Sequence, residues 1–224
     1  MKFAPFILFV IFFCSCSTTQ ISKSAHFESV KSNHKIIAIL PAYVKLFVPN
    51  GLGKEVPKET LDDAAMKLSF IIQNEMYKWF LKNKYTVLVE DVRFSNRKLF
   101  SKGLTFKDYK TIPKDSITKI LGVDAVVFGT TDLTKSNLKT INLFLNFSSP
   151  LNVITSIAST SISLNEQNET LTDNINLNVV VVETKTNLKL IEKSYSTVVK
   201  ADGGFEKFYR NSIKNFAKNL PYKK

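Results

Sequence analysis

The chain has few of the residues that most often carry covalent cross-links or catalysis: two cysteines and two histidines among 224 residues. Both cysteines, Cys14 and Cys16, lie near the N-terminus. No disulfide can therefore link distant parts of the chain, and its stability must come from a packed core. Hydrophobic residues make up 44% of the chain and include 18 phenylalanines, which is ample for such a core.

Catalytic motifs are also lacking: there is no Gly-x-Ser-x-Gly elbow, no phosphate-binding glycine loop and no His-Glu-x-x-His. His26 and His34 precede the first predicted strand, and a spaced pair without cysteines matches no zinc-ligand pattern. We expect both to be solvated. Asp62 and Asp63 fall in the first turn of a predicted helix, which favours carboxylates, and Asp124 has no evident partner. The sequence therefore predicts a protein that is not an enzyme and holds no metal or cofactor.

Acidic residues are fewer than basic ones, with 19 Asp and Glu against 31 Lys and Arg. The lysines are scattered along the chain, whereas a nucleic-acid-binding protein usually clusters them with aromatic residues or on a known motif. A basic surface facing an anionic cell envelope is the simpler interpretation. We predict no nucleic-acid partner.

The N-terminus has the pattern of an export signal. Lys2 precedes an apolar run over residues 3–13, which is shorter than the roughly 20 residues of a membrane-spanning helix. The run ends in Phe-Cys-Ser-Cys over residues 13–16, which resembles the lipobox of bacterial lipoproteins. We predict residues 1–15 to be a lipoprotein signal peptide and Cys16 to be the first residue of the mature chain, carrying diacylglycerol and palmitate-type acyl chains. The alternative is an ordinary secreted protein cut near residue 17 or 18.

The residues after Cys16 predict an address and a tether. Ser17, rather than aspartate, follows Cys16, which resembles the pattern of lipoproteins carried to the outer membrane. No acidic run follows, so no surface-export tag is apparent and the anchored chain is expected to face the periplasm. Residues 16–34 are rich in Ser, Thr, Gln and Lys and are predicted to be a flexible tether.

Residues 35–220 are predicted to form one α/β domain. Strands are expected over residues 35–41, 85–90, 123–129, 174–183 and 188–199, and helices over about 60–82, 113–121 and 202–220. Residues 42–57 are predicted to be a long loop, and residues 91–112 show no clear element beyond helical turns. The order β-α-β-α-β-insert-β-β-α predicts a mixed sheet of about five strands with helices packed on it.

The ends of two helices carry local signals. Thr60 with Asp63 resembles a capping box. Asp115 or Ser116 is the expected N-cap of the next helix, and Gly122 is its expected C-terminal stop.

Three segments together resemble one lipoprotein superfamily. They are the opening strand that ends in Leu40 and Pro41, the run Ile-Leu-Gly-Val-Asp-Ala-Val-Val-Phe-Gly-Thr over residues 120–130, and residues 176–190. The chain resembles lipoproteins similar to the curli secretion channel and to LpoB-type activators of penicillin-binding proteins. Asn187 stands where that pattern has glycine, and asparagine tolerates the left-handed conformation of such turns. The resemblance implies a membrane-anchored, non-enzymatic module that recruits or organises other envelope proteins.

A predicted insert over residues 137–172 contains no charged residue between positions 140 and 165, although 22% of the chain is charged. Its alternating apolar and polar residues suit a membrane-inserting β-hairpin, in which each strand needs about 9 to 11 residues. One hairpin cannot close a barrel, so this hypothesis requires a homo-oligomeric ring. A soluble elaboration of the domain is the alternative, and we favour it.

The leading functional prediction is a lipid-anchored, periplasm-facing protein-interaction module for cell-envelope assembly or secretion. Its expected partners are the membrane, through the lipid, and an envelope protein of unknown identity. An oligomeric secretion pore in the outer membrane is the second hypothesis.

Overall fold

The computed structural model describes residues 19–47, 58–134, 172–200 and 204–222. The predictions for residues 1–15, for Cys16 and for residues 140–165 lie outside these ranges. Within them the chain forms a mixed sheet of seven strands with helices packed against it. The predicted α/β class with a mixed sheet is confirmed, with two strands more than the sequence indicated.

The strands are β1 Thr19–Lys23, β2 Ile36–Ile39, β3 Tyr43–Phe47, β4 Leu88–Val89, β5 Ala125–Thr134, β6 Thr172–Glu183 and β7 Lys189–Lys200. The helices are α1 Phe27–Val30, α2 Lys58–Lys82, α3 Val92–Ser101, α4 Lys114–Leu121 and α5 Gly204–Asn219, with short 3₁₀ turns over Lys31–Asn33 and Asp108–Lys110.

The strand order across the sheet is β1-β7-β6-β5-β2-β4. β2 runs parallel to β4 and to the start of β5, as strand–helix–strand crossovers require, and β6 and β7 form the predicted antiparallel hairpin. β3 continues on the same side of β5 where β2 stops, pairing Tyr43 with Thr130 and Phe47 with Thr134. We call the end of the sheet with Phe47 and Thr134 the upper end, and the end where β2 and β5 begin the lower end.

Burial of apolar residues on both sides explains why β2 and the first half of β5 are nearly continuous apolar runs. Ile37, Ala38 and Ile39 are inaccessible to solvent, as are Val126 and Val127 on β5. Strands covered on both faces need no polar alternation. The central strands therefore anchor the core between helices on both sides.

Helices α2 and α5 cover one face of the sheet along its whole height. The α2 residues Ala65, Leu68, Ile72 and Met76 are buried, as their spacing predicts. A Cβ atom on Gly129 of β5 would lie 3.1 Å from Met76 Cε and 3.2 Å from Ala42 Cβ. Glycine at this position therefore permits the close approach of the helix to the sheet.

Two turn positions behave as the sequence predicts. Gly122 ends α4 in the left-handed conformation with φ +76°, and its N–H donates to the carbonyl of Thr118. Asn187, in the β6–β7 turn, has φ +54° and is the only non-glycine residue of the described ranges with positive φ. Both positions suit residues that tolerate this conformation.

The tether predicted over residues 16–34 differs from the structure in its described part. Thr19–Lys23 is a strand that pairs antiparallel with β7, and Thr19 lies opposite Tyr195. Phe27 of α1 is 1% exposed and packs edge-on against Tyr222, with ring centroids 5.7 Å apart. A polar segment can join the sheet because backbone pairing requires no apolar side chain at an edge.

Other differences concern short elements. Residues 43–47, predicted as loop, form β3, and residues 92–101, left without a clear element, form α3. α2 already includes Lys58, so Thr60 is not its N-cap, and the predicted capping box is wrong. α4 starts after Pro113 without a side-chain cap, so Asp115 and Ser116 lie inside the helix.

Candidate functional site

The acidic residues singled out by the sequence are tied into the structure. Asp62 lies in the second turn of α2, not the first, and its carboxylate is 2.5 Å from the Lys107 ammonium. The carboxylate of Asp124 accepts hydrogen bonds from the backbone N–H groups of Lys35 and Ile36, at 2.7 and 3.0 Å. The expectation that Asp124 has no partner is therefore wrong.

These hydrogen bonds have an electrostatic consequence. Partial burial alone would raise the pKa of the Asp124 carboxyl, but the N–H groups of Ile36 and Lys35 favour the charged form and lower the pKa below its ordinary value. Asp124 also accepts at its carbonyl from the N–H of Thr184 and so joins β2, β5 and the β6–β7 turn. Its role in this geometry is to hold the lower end of the sheet together.

The two histidines differ from each other. His26 is exposed, but His34 is 7% exposed, which corrects the expectation that both are solvated. Nδ1 of His34 lies 2.6 Å from the Tyr222 hydroxyl, and Nε2 lies 3.6 Å from a carboxylate oxygen of buried Glu183. This cluster links His34, two residues before β2, to the end of β6 and to Tyr222 after α5.

Neither a metal centre nor a membrane-spanning helix stands out in the described ranges. They contain no group of three or more His, Cys, Asp or Glu residues placed to hold a metal ion. None of their helices is long and apolar enough to cross a bilayer.

Among the residues that the structure describes, helices cover the other face of the sheet only at its lower end. There α3 and α4 pack on it, and the ammonium of Lys114 lies over the Phe128 ring, 4.4 Å from its centroid. This ammonium also donates to the carbonyl oxygens of Tyr109 and Ile112. Burial lowers the pKa of Lys114 to about 8. Lys110 lies 4.6 Å from the centroid of the Tyr43 ring and marks the upper limit of this helical layer.

Above that limit the sheet presents what we call the open face, which consists of three rows of residues across β3, β5, β6 and β7. The rows, from the lower to the upper, are Tyr43-Thr130-Asn178-Ser194, Lys45-Asp132-Asn176-Ser196 and Phe47-Thr134-Asn174-Val198. Directly paired residues point to the same side of a sheet. None of these residues is buried, whereas the neighbours along each strand whose burial is described are buried or partly buried.

A groove with a volume of about 340 Å³ runs through the lower two rows, lined by Thr130, Asp132, Asn176, Asn178, Ser194, Ser196 and the backbone between them. Its side chains supply hydroxyls, amides and one carboxylate. The Asn178 amide donates to Glu192 at 2.7 Å. This hydrogen bond, followed by that from Lys189, lowers the pKa of Glu192 despite its partial burial. Asn178 Oδ1 is buried and has no hydrogen-bond partner within the described ranges.

The described residues of the open face offer hydroxyl, amide and carboxylate groups as hydrogen-bond donors and acceptors, which suits recognition of a polar surface. Sequence reasoning missed this face. The signal was present in β6, where Asn174, Asn176 and Asn178 alternate with Ile175 and Leu177, a pattern typical of a strand with one uncovered side. Helix α5 presents a basic face, on which Lys207, Arg210 and Lys218 are exposed. The open face and the basic face of α5 lie on opposite sides of the sheet.

No known protein family and no curated protein sequence matches the chain. Similar solved structures include a PelC dodecamer from Paraburkholderia phytofirmans, at 7% identity and TM-score 0.42 over 93% of this chain and 100% of that one. Lipoprotein GNA1162 from Neisseria meningitidis has 11% identity and TM-score 0.42 over 83% and 98%. The LpoB C-terminal domain from Escherichia coli has 7% identity and TM-score 0.30 over 76% and 94%. LpoB belongs to the group that the sequence motifs resemble.

Proposed function

We propose that the chain is a membrane-anchored, non-enzymatic lipoprotein that binds another protein of the cell envelope through its open face. The observation that carries this proposal is that, in the described ranges, one side of the upper half of the sheet is polar and uncovered while α2 and α5 pack on the other side. Backbone and side-chain groups in such a rigid frame can make directed hydrogen bonds at little entropic cost. The partner is a protein with a polar, hydrogen-bonding surface patch.

The position of the N-terminal strand supports the anchored part of the proposal. β1 pairs with β7, and Thr19 lies opposite Tyr195, which stands between the open-face residues Ser194 and Ser196. The lipobox places the lipidated residue, Cys16, three positions before Thr19. The anchor and the binding face are therefore next to each other, which raises the local concentration of the face near a membrane-associated partner.

The candidate catalytic groups have structural contacts, which supports the proposal that the protein is not an enzyme. Asp124 accepts two backbone hydrogen bonds, Asp62 pairs with Lys107, and His34 contacts Tyr222. Each of these groups holds together separate parts of the fold. Alanine replacement of Asp62 and Asp63 should leave the biological function intact; a specific loss of function in a folded variant would revive the enzyme hypothesis.

Site-specific photocross-linking tests the binding face. A photoreactive phenylalanine analogue is placed at Asn176, in the middle row of the open face, and as a matched control at Asn211, an exposed asparagine of α5. In cells that carry the full lipoprotein, Asn176 should give a discrete cross-linked envelope protein and Asn211 should not. The same products from both positions, or none from Asn176, would count against the open face as the binding surface.

Membrane fractionation and acyl-chain analysis test the proposed outer-membrane localisation and the lipidation of Cys16. Ser17 after Cys16 favours the outer membrane, with the domain in the periplasm. The mature protein should co-sediment with outer-membrane markers and begin with an acylated Cys16. Full activity of a lipid-free form in a strain that lacks the native protein would show that the anchor is dispensable.

The second candidate, an oligomeric secretion pore, rests on one observation. β5 is described as far as Thr134 and β6 from Thr172, and Thr134 is paired with Asn174. The uncharged residues 140–165 therefore belong to a segment that starts and finishes on neighbouring antiparallel strands, as a hairpin extension would. Sizing and electron microscopy of the detergent-extracted protein should then show rings; a strictly monomeric species would exclude the pore.

A further inference from the structure

The strand β1 limits how far the domain can stand from its anchor. Only residues 17 and 18 separate Cys16 from Thr19. A fully extended chain gains at most about 3.6 Å per residue, so the two Cα atoms at positions 16 and 19 lie within about 11 Å of each other in any conformation. Because Thr19 is hydrogen-bonded into the sheet opposite Tyr195, this reach is measured from a fixed point of the fold.

Exposed apolar side chains stand at both ends of the sheet. Phe47 and Val198 are 55% and 62% exposed and belong to the uppermost row of the open face. Leu88 and Leu188 are 71% and 42% exposed and lie at the lower end, where β4 pairs with β2 and where β6 turns into β7. Single exposed apolar residues are common on proteins. The position of the lipid anchor is therefore used to decide which end of the sheet lies near a membrane.

The reach of the chain selects the upper end. Val198 is three residues from Tyr195 along β7, a rise of about 10 Å, whereas Leu188 is seven residues away in the other direction, about 23 Å. A bilayer that holds Cys16 within about 11 Å of Thr19 can meet the level of Val198 but not that of Leu188. Phe47 stands at the same level as Val198, since the register joins both to Thr134 and Asn174.

The geometry points to the upper end of the sheet as a lipid-contacting surface, with Phe47 and Val198 entering the headgroup region of the bilayer that holds Cys16. This inference rests on the proposed lipidation of Cys16. Apolar side chains that are already exposed gain from burial at the boundary between headgroups and acyl chains. The groove, in the two lower rows, then faces sideways just outside the membrane, where an envelope partner can reach it.

Depth-dependent fluorescence quenching tests this orientation. The full lipoprotein is purified from membranes and reconstituted in vesicles of phosphatidylethanolamine and phosphatidylglycerol. Phe47→Cys and Val198→Cys report on the upper end, and Leu88→Cys and Leu188→Cys are the matched controls at the lower end. All four positions are exposed, and the sulfur of an acylated Cys16 is a thioether, so each variant carries one free thiol for an environment-sensitive dye.

The dye at positions 47 and 198 should shift its emission to the blue on reconstitution and lose intensity with lipids that carry a quencher near the headgroup. At positions 88 and 188 the emission should match that of the detergent-free domain in water. Quenching at the lower end, or at neither end, with an acylated Cys16 confirmed by mass spectrometry would overturn the orientation and leave the anchor standing. An unmodified Cys16 with no vesicle association would overturn the anchored function itself.

Discussion

The two faces of strands β5, β6 and β7 differ although the same backbone carries both. On the side of α2 and α5, Ile175, Leu177 and Val179 are at most 1% exposed. On the other side Asn174 and Asn176 are exposed. Within the described ranges, the upper half of this sheet is therefore stabilised by helices packed on one side, and the residues on its opposite side are not part of the core.

Substitutions on the two faces of β6 should differ most in how much they lower the free energy of unfolding. Leu177→Ala should lower the free energy of unfolding by about 2–5 kcal/mol, because it removes buried apolar contacts and leaves a cavity. Asn176→Ala, one residue earlier on the same strand, should stay within about 0.5 kcal/mol of the wild type. Urea unfolding of the soluble domain measures both, and equal losses would show that the open face is packed by another part of the chain.

A smaller effect is expected from a neighbouring pair of threonines on β5. The buried hydroxyl of Thr131 donates to the Asn176 carbonyl and accepts from the Tyr209 hydroxyl, both at 2.6 Å. Thr131→Val should lower the free energy of unfolding by about 1–3 kcal/mol, because the Asn176 carbonyl and the Tyr209 hydroxyl each lose the hydrogen bond to Thr131. Thr130→Val, on the open face, is the matched control and should be close to neutral. A double variant with Tyr209→Phe should lose less than the sum of the single changes.

Substitutions of two aspartates, one in the packed part of the fold and one on the open face, should differ in how they change stability with pH. The lowered pKa of Asp124 means that its carboxylate contributes stability that is complete above the ordinary aspartate pKa of about 3.9. That contribution is lost as the pH falls through the lower pKa of the folded state. Asp124→Asn should therefore cost on the order of 1 kcal/mol near neutral pH, a value reduced by the partial exposure of the group.

The difference between wild type and Asp124→Asn should shrink as the unfolding is repeated at pH values falling below about 4. Asp132→Asn, on the open face, is the matched change of charge and should leave the stability at pH 7 nearly unaltered. It should instead weaken cross-linking from Asn176. A stability gap for Asp124→Asn that is the same at neutral and acid pH would contradict the hydrogen-bonded role of its carboxylate.

Local patterns predicted much of the fold. The helical spacing of Ala65, Leu68, Ile72 and Met76 identified α2, and the apolar run before Gly129 identified β5. The left-handed residue Asn187 marked the turn of the β6–β7 hairpin. These signals are readable because each depends on neighbours within a few positions along the chain.

Those local patterns could not predict contacts between segments that are far apart in the sequence. β1 is polar, and its strand exists because its backbone groups bond to β7, about 170 positions further along the chain. β3 follows Pro41 after only one intervening residue, and it forms because the upper half of β5 lacks a partner where β2 has stopped. The burial of His34 likewise depends on Tyr222, which arrives from the other end of the chain.

The N-terminal residues predict an export signal and a lipobox at Cys16. Patterns in contiguous residues were also enough to identify the α/β class and the β6–β7 hairpin. Only the folded structure shows which half of the sheet is uncovered within the described ranges and how close Thr19 lies to that half. The physical reason is that a side chain's exposure depends on which helices pack over its strand, and that packing is fixed by contacts between residues far apart in the chain. Alternation showed that one side of β6 is polar, and only the fold showed that no described helix covers this side and that β1 lies beside it.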